Sequence, residues 1–152
     1  MPGQSVLSAG TGFLTPTADN TITIPATAGK VISVGAYDAV FDSYASFSGR
    51  GGSLQSGGVK PDLAAPGVDI ISCAPGGGYT AKSGTSMAAP FVTGGAALLM
   101  EWGIRLGNDA WLYGEKVKAY LRRGARPLPG FSAYPNEQAG YGALCVRDSF
   151  PA

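Results

Sequence analysis

The sequence predicts an α/β domain in which a mostly parallel sheet packs on one buried helix. Three observations carry that expectation. The run Val31-Ile32-Ser33-Val34-Gly35-Ala36 is nearly continuous in apolar and β-branched residues, which suits a strand covered on both faces. The segment from Ser86 to about Trp102 has scarcely any polar face, Glu101 being its first charged residue, as expected of a helix inside a core. The 152 residues include 24 glycines and only 14% charged side chains, a balance that favours tight turns and close backbone approaches over a solvated chain. This length supports a single domain spanning residues 1–152, and a hydrophobic fraction of 45% is ordinary for a globular protein.

Taken in order, Met1 to Asp19 is rich in Gly, Ser, Thr and Pro and reads as loop, with one short strand at most near Val6-Leu7 or Phe13-Leu14. Thr21 to Pro25 alternates, is rich in β-branched residues and predicts a short strand closed by its proline. The better strand, Val31 to Ala36, is bounded by Gly29-Lys30 and the polar stretch after Tyr37. Ser43 to Gly58, centred on SGRGGSLQSGG, reads as a flexible surface connection. Val68 to Ala74 (VDIISCA) predicts the next strand, and Pro75-Gly76-Gly77-Gly78-Tyr79 turns the chain towards Ser86.

In the helix that follows, Pro90 falls in the first turns, where proline is tolerated, while Gly94 and Gly95 each cost about 1 kcal/mol relative to alanine. That cost is acceptable where a helix passes close to neighbouring backbone. A second helix is predicted from about Ala110 to Arg123, capped by Asn108 or Asp109 and ended by Gly124. Tyr113, Val117, Tyr120 and Leu121 form its apolar stripe, and Lys116, Lys118, Arg122 and Arg123 its solvated face. Proline and glycine punctuate the tail, with Ala143 to Val146 as a final strand.

A formal net charge of +1 gives no electrostatic argument for nucleic acid or membrane partners. Cys73 and Cys145 lack metal or redox spacing and read as small buried hydrophobes. Met1-Pro2-Gly3-Gln4 opens no secretory signal, and no apolar run is expected to approach the ~20 residues that span a bilayer.

Chemistry concentrates in Ser83-Gly84-Thr85-Ser86-Met87-Ala88-Ala89-Pro90, where a serine lies among small residues at the start of the apolar helix. A nucleophilic hydroxyl needs a tight turn that leaves it unshielded, and a helix N-terminus offers N–H groups to a developing oxyanion. Gly84 and Ala88 flank Ser86 at two residues on either side, the spacing of a nucleophile elbow with alanine replacing the second glycine. The run GTSMAAP, preceded by PDLAAPG at Pro61 to Gly67, closely resembles the nucleophile region of subtilisin-like serine peptidases. The stretch from Leu98 to Arg126, with the later YPN and GYG at Tyr134 and Gly140, resembles the clostridial spore-germination branch of that family. Together the similarity spans roughly Ile22 to Val146.

The resemblance implies the C-terminal part of a subtilisin-like fold and a serine endopeptidase acting on peptide or protein substrates through an acyl-enzyme on Ser86. Such an enzyme needs a histidine base oriented by an aspartate, and this chain has no histidine. In the family's chain order both precede the serine, so they are expected in an N-terminal half, and the isolated chain is expected to be inactive. Phe91 stands where relatives often carry a histidine that is not the base. The resemblance makes the Ser86 backbone N–H one oxyanion donor and an upstream asparagine the other, which leaves Asn20 as a turn residue.

By the same resemblance Thr23 and Ile24 lie near the pocket for the side chain preceding the scissile bond, with plain strand packing as their other reading; Gly84 and Thr85 belong to the same cleft. No cofactor is assigned. Some relatives bind a weak cation, such as calcium, through backbone carbonyls near Ala26, Ala28 and Val31, but such ligands leave no sequence signature. A secreted or spore-associated parent is implied. The alternative is a non-catalytic scaffold that binds a partner or itself. Because the helix from Ser86 and the strand from Val31 would be partly covered by elements of the other half, a homo-oligomer is expected.

Overall fold

The computed structural model describes residues 12, 15–52 and 58–151. The strand expected near Val6-Leu7 or Phe13-Leu14 and the middle of the Ser43–Gly58 connection lie outside them. The described strands are β1 (Val34–Asp38), β2 (Ser43–Tyr44), β3 (Leu63–Pro66), β4 (Ile70–Cys73) and β5 (Tyr79–Lys82). The helices are α1 (Thr85–Met100), which runs on through a π-helical turn at Glu101–Arg105, α2 (Gly114–Arg123) and α3 (Val146–Ser149).

β1 lies between β2 and β3, parallel to β3 with Val34 opposite Leu63 and Tyr37 opposite Pro66, and antiparallel to β2. β4 and β5 form a separate antiparallel hairpin. Among the described residues, parallel pairing is therefore confined to β1–β3 and a single parallel bridge from Ala64 to Ala143. The hairpin's turn is far shorter than the dozen or so residues that a parallel crossover requires.

The core forms where α1 crosses β1 and β3. Ala88, Val92, Gly95 and Leu99 recur at helical spacing on its inner face; Ala88, Val92 and Leu99 share a core cluster with Ala36, Leu63 and Ala65 of the sheet, and Gly95 faces Leu121, Leu144 and Val146. Alanine and glycine on both surfaces allow the close approach, while burial of Val92, Leu63 and Leu99 contributes roughly 1.5–3 kcal/mol each. Contrary to the expectation of a helix buried all round, Phe91 is 42%, Leu98 51% and Met100 47% exposed. Among the described residues the inner side of α1 is covered by the sheet and by α2, and its outer side stays open. The continuous stretch Thr85–Arg105 is also long and apolar enough, by length and composition alone, to cross a bilayer, which corrects the expectation that no such run exists. In this fold it packs on a sheet.

Several boundaries differ from expectation for identifiable reasons. No strand forms at Thr21 to Pro25: the Thr21 N–H donates to the Arg50 carbonyl (2.9 Å), and Ala26 N–H closes a turn on Thr23 (2.9 Å). β1 begins only at Val34 because Ser33 N–H and Oγ both donate to the Asp62 carboxylate, at 2.7 and 3.0 Å. β5 and β3 were not foreseen as strands. Pro90 is the sixth residue of α1, past the first-turn positions where its missing N–H is free of consequence, so Ser86 C=O lacks that intrahelical donor.

α2 starts at Gly114, with Tyr113 rather than Asn108 or Asp109 at the cap. Asp109 instead accepts from Lys116 Nζ (2.7 Å) and Tyr120 OH (2.9 Å), holding the helix by its side chains. Lys118 and Leu121 are buried, so the expectation of Lys118 on a solvated face is corrected; Tyr113 is exposed. Ala143 makes single bridges to Ala64 and Arg126, and Val146 already opens α3. Cys73, on the outer side of the hairpin, is exposed and Cys145 half-buried, not the buried hydrophobes expected; both are free thiols.

Two adjacent glycines of α1 give a test of this packing. A Cβ on Gly95 would meet Val146 Cγ2 at 3.0 Å, whereas one on Gly94 would meet nothing within 4 Å. Gly94→Ala is expected to raise stability by about 1 kcal/mol, and Gly95→Ala to gain nothing or to lose. Urea unfolding midpoints of the two variants would show this order or its reverse.

Candidate nucleophile site

Ser86 is exposed in the first turn of α1, on the second helical residue. Gly84, at the N-cap, has φ 155° and ψ 161°, a backbone region that side chains rarely adopt, and no side chain caps the helix start. The Gly84 carbonyl accepts from Met87 N–H (3.0 Å), and its N–H donates to the Gly67 carbonyl (2.8 Å). A second tie joins the same two segments, because Ser83 Oγ accepts from Asp69 N–H (2.9 Å) and donates to Asp69 Oδ1 (3.1 Å). The serine hydroxyl is thus presented on a turn fixed to the end of β3, beside uncapped helix amides that suit a developing negative charge.

Two cavities flank the turn. One, of about 400 Å³, is lined by Thr21, Ile22, Thr23, Phe47 and Thr85 among others. The second, of about 380 Å³, lies between β4 and the first turns of α1, where Ser86 meets Ile70, Ile71, Met87, Pro90 and Phe91. Thr23 and Thr85 therefore share one cavity wall, with Gly84 adjoining in the chain, whereas Ile24 is 87% exposed and is not among the residues lining that cavity. Sequence reasoning did not single out Met87, Ile70 and Ile71. The helical spacing of Met87, Pro90 and Phe91 after Ser86 was a usable signal, but the approach of β4 was not.

At the opposite end of β1 and β3 lies a buried ionic cluster. Lys60 and Asp62 are fully buried and pair at 2.8 Å. Lys118 adds a contact to Asp62 Oδ1 at 3.0 Å, and Arg122 Nη2 also reaches that oxygen. Burial alone would raise the Asp62 pKa, yet hydrogen bonds from Lys60, Ser33 N–H, Lys118 and Arg122 outweigh it and hold the carboxyl below its ordinary 3.8. Burial pushes the Lys118 pKa down, with the Asp62 contact opposing it. The carbonyl of Val31, which the resemblance places at a weak cation site, accepts from Lys60 Nζ and from Lys118 Nζ, each at 2.9 Å.

A partial α/β fold of subtilisin type, carrying an exposed serine on a glycine turn at a helix start, defines a serine-peptidase class of domain. The model of the Subtilase family, Peptidase_S8, matches residues 5–142, and the chain belongs to that family. Among solved structures it is similar to the Clostridium perfringens CspB protease, with a TM-score of 0.88 and 48% identity over 95% of this chain and 30% of that one. Among curated proteins it is 32% identical over 122 residues to the minor extracellular protease Vpr of Bacillus subtilis, covering 75% of this chain and 14% of Vpr. It is 46% identical over 106 residues to an intracellular serine protease of Paenibacillus polymyxa, covering 64% of this chain and 29% of that protein. The chain thus spans well under half the length of these relatives.

The depressed Asp62 pKa sets an acid limit. Above pH 3.8, the ordinary carboxyl value, its stabilisation is fully present; it is lost as pH falls below that through the lower folded-state value. Asp62→Asn, which removes the anion shared by Lys60, Lys118 and Arg122, is expected to cost about 3–5 kcal/mol at pH 7 and to flatten the pH dependence in that window. Urea unfolding from pH 7 to pH 2 on both proteins checks the sign and size.

Proposed function

We propose that this chain is the nucleophile-bearing C-terminal part of a serine endopeptidase, with Ser86 attacking the scissile carbonyl and the Ser86 N–H as one oxyanion donor. The observation that carries this reading is the exposed Ser86 on a turn held by Gly84 and Gly67, where the family pattern requires the nucleophile. The histidine base, its aspartate and the second oxyanion donor come from an N-terminal half, since the chain contains no histidine. Peptide or protein substrates are proposed from the family and the names of relatives. In this reading Thr23, Gly84 and Thr85 border the cleft that receives the residue before the scissile bond, with Ile24 at its outer edge. The similarity to the minor extracellular protease Vpr supports a secreted parent, and a spore-associated one rests on the branch resemblance of the sequence alone.

The chain alone is expected to hydrolyse a peptide library no faster than Ser86→Ala. Co-refolded with the preceding segment of its parent, it should gain peptidase activity that Ser86→Ala lowers by about 10⁴-fold or more. Activity that survives the substitution would assign the nucleophile elsewhere. A correctly folded complex without activity would favour the scaffold reading.

The open face of α1 supports a companion proposal. Phe91, Leu98, Met100 and Ile104 are exposed large apolar side chains along one helix and its π-helical extension. We propose that the N-terminal half covers this face and that, without it, two copies cover each other. Size exclusion with light scattering should give a homodimer or higher oligomer for the chain alone and a one-to-one complex once the N-terminal half is supplied. A monomer at high concentration would overturn the association.

A further inference from the structure

We propose that the ammonium group of Lys118 is the built-in cation of the loop before β1, so that this chain needs no bound metal ion there. The argument is one of donors and acceptors. Lys118 Nζ carries three N–H donors and has three partners: the Gly29 carbonyl at 2.7 Å, the Val31 carbonyl at 2.9 Å and Asp62 Oδ1 at 3.0 Å. The Val31 carbonyl has two lone pairs, and Lys60 Nζ takes the other at 2.9 Å. A metal ion would have to displace an ammonium to reach that oxygen.

Charge opposes it as well. The cluster holds Lys60, Lys118 and Arg122 against Asp62, with Glu115 the acidic residue lining the shallow groove beside Lys118 and Arg122. An added cation would enter a region already in positive excess. The resemblance implies a weak cation on backbone carbonyls near Ala26, Ala28 and Val31, and the residues here do not fit one, because two ammonium groups already fill the Val31 oxygen and Lys118 also holds the neighbouring Gly29 carbonyl. The inference is independent of the reaction Ser86 serves.

The test compares melting temperatures of the 152-residue chain in choline, sodium, potassium and calcium chlorides at matched ionic strength. The wild type should melt at the same temperature in all four. Lys118→Met, which frees the Gly29 carbonyl and one lone pair of the Val31 carbonyl, should melt lower in choline chloride and recover saturably with potassium or calcium. A saturating cation should raise the variant's melting temperature by about 5 °C or more, as expected for a chain of this size at a hundredfold excess over Kd. A saturable rise of that size in the wild type would overturn the proposal, as would a folded Lys118→Met whose melting temperature ignores the cation. The wild-type arm decides even where the variant folds poorly.

Discussion

The position of Ser86, the proposed nucleophile, depends on one close approach, that of Gly67 to Ala36 and to the Gly84 turn. The Gly67 N–H donates to the Tyr37 carbonyl at 3.0 Å, continuing the β1–β3 ladder, and its carbonyl accepts from Gly84 N–H at 2.8 Å. A Cβ at Gly67 would stand 2.6 Å from Ala36 Cβ and 3.0 Å from the Gly84 carbonyl oxygen. Any larger residue must move either the sheet or the serine turn, and overpacking of this kind typically costs about 1–3 kcal/mol. One residue thus serves as the last rung of the sheet and the anchor of the Ser86 turn, which gives the PDLAAPG run a physical meaning beyond its resemblance.

The other end of the same two strands is fixed by charge. Asp62 closes β3 against Ser33 in a reciprocal pair, since Asp62 N–H also donates to the Ser33 carbonyl at 2.8 Å. Lys118 and Arg122 then dock α2 onto that corner. A buried ionic cluster of this kind adds little over a well-packed apolar one, but its broken form is costly, so it resists a slip of β1 against β3 that would rotate Gly35 and Ala36 out of the core. The register that places Gly67 under Gly84 is therefore held from both ends.

What was legible in the sequence follows from how local each constraint is. The Ser86 turn was readable because an exposed nucleophile requires small neighbours within two residues and a helix behind it, all contained in GTSMAAP. The family and the subtilisin-like α/β class followed from that run and its partner. Thr21 to Pro25 was misread because β-branched side chains signal a strand, whereas Arg50 supplies the Thr21 partners, with its N–H donating to Thr21 Oγ1 at 2.8 Å. Lys118 was misplaced because helical spacing puts it off the apolar stripe. The carboxylate that buries it lies 56 positions earlier, and nothing local to α2 announces it.

Helix α1 shows the limit most clearly. Its apolarity was plain in the sequence, yet apolarity is a demand for cover and says nothing about which element supplies it. The inner stripe finds β1, β3 and α2, while Leu98, Met100 and Ile104 stay exposed among the described residues. The supports of Ser86, namely Gly67, Gly84, the Asp69–Ser83 pair and the inner stripe of α1, all lie in this chain and none involves that open face. The geometry of the serine and the covering of the helix are thus separable. Under the proposed function, a segment that covers α1 would bring a base to a hydroxyl already in place, and the apolar burial that binds it need not rebuild the turn on which that hydroxyl sits.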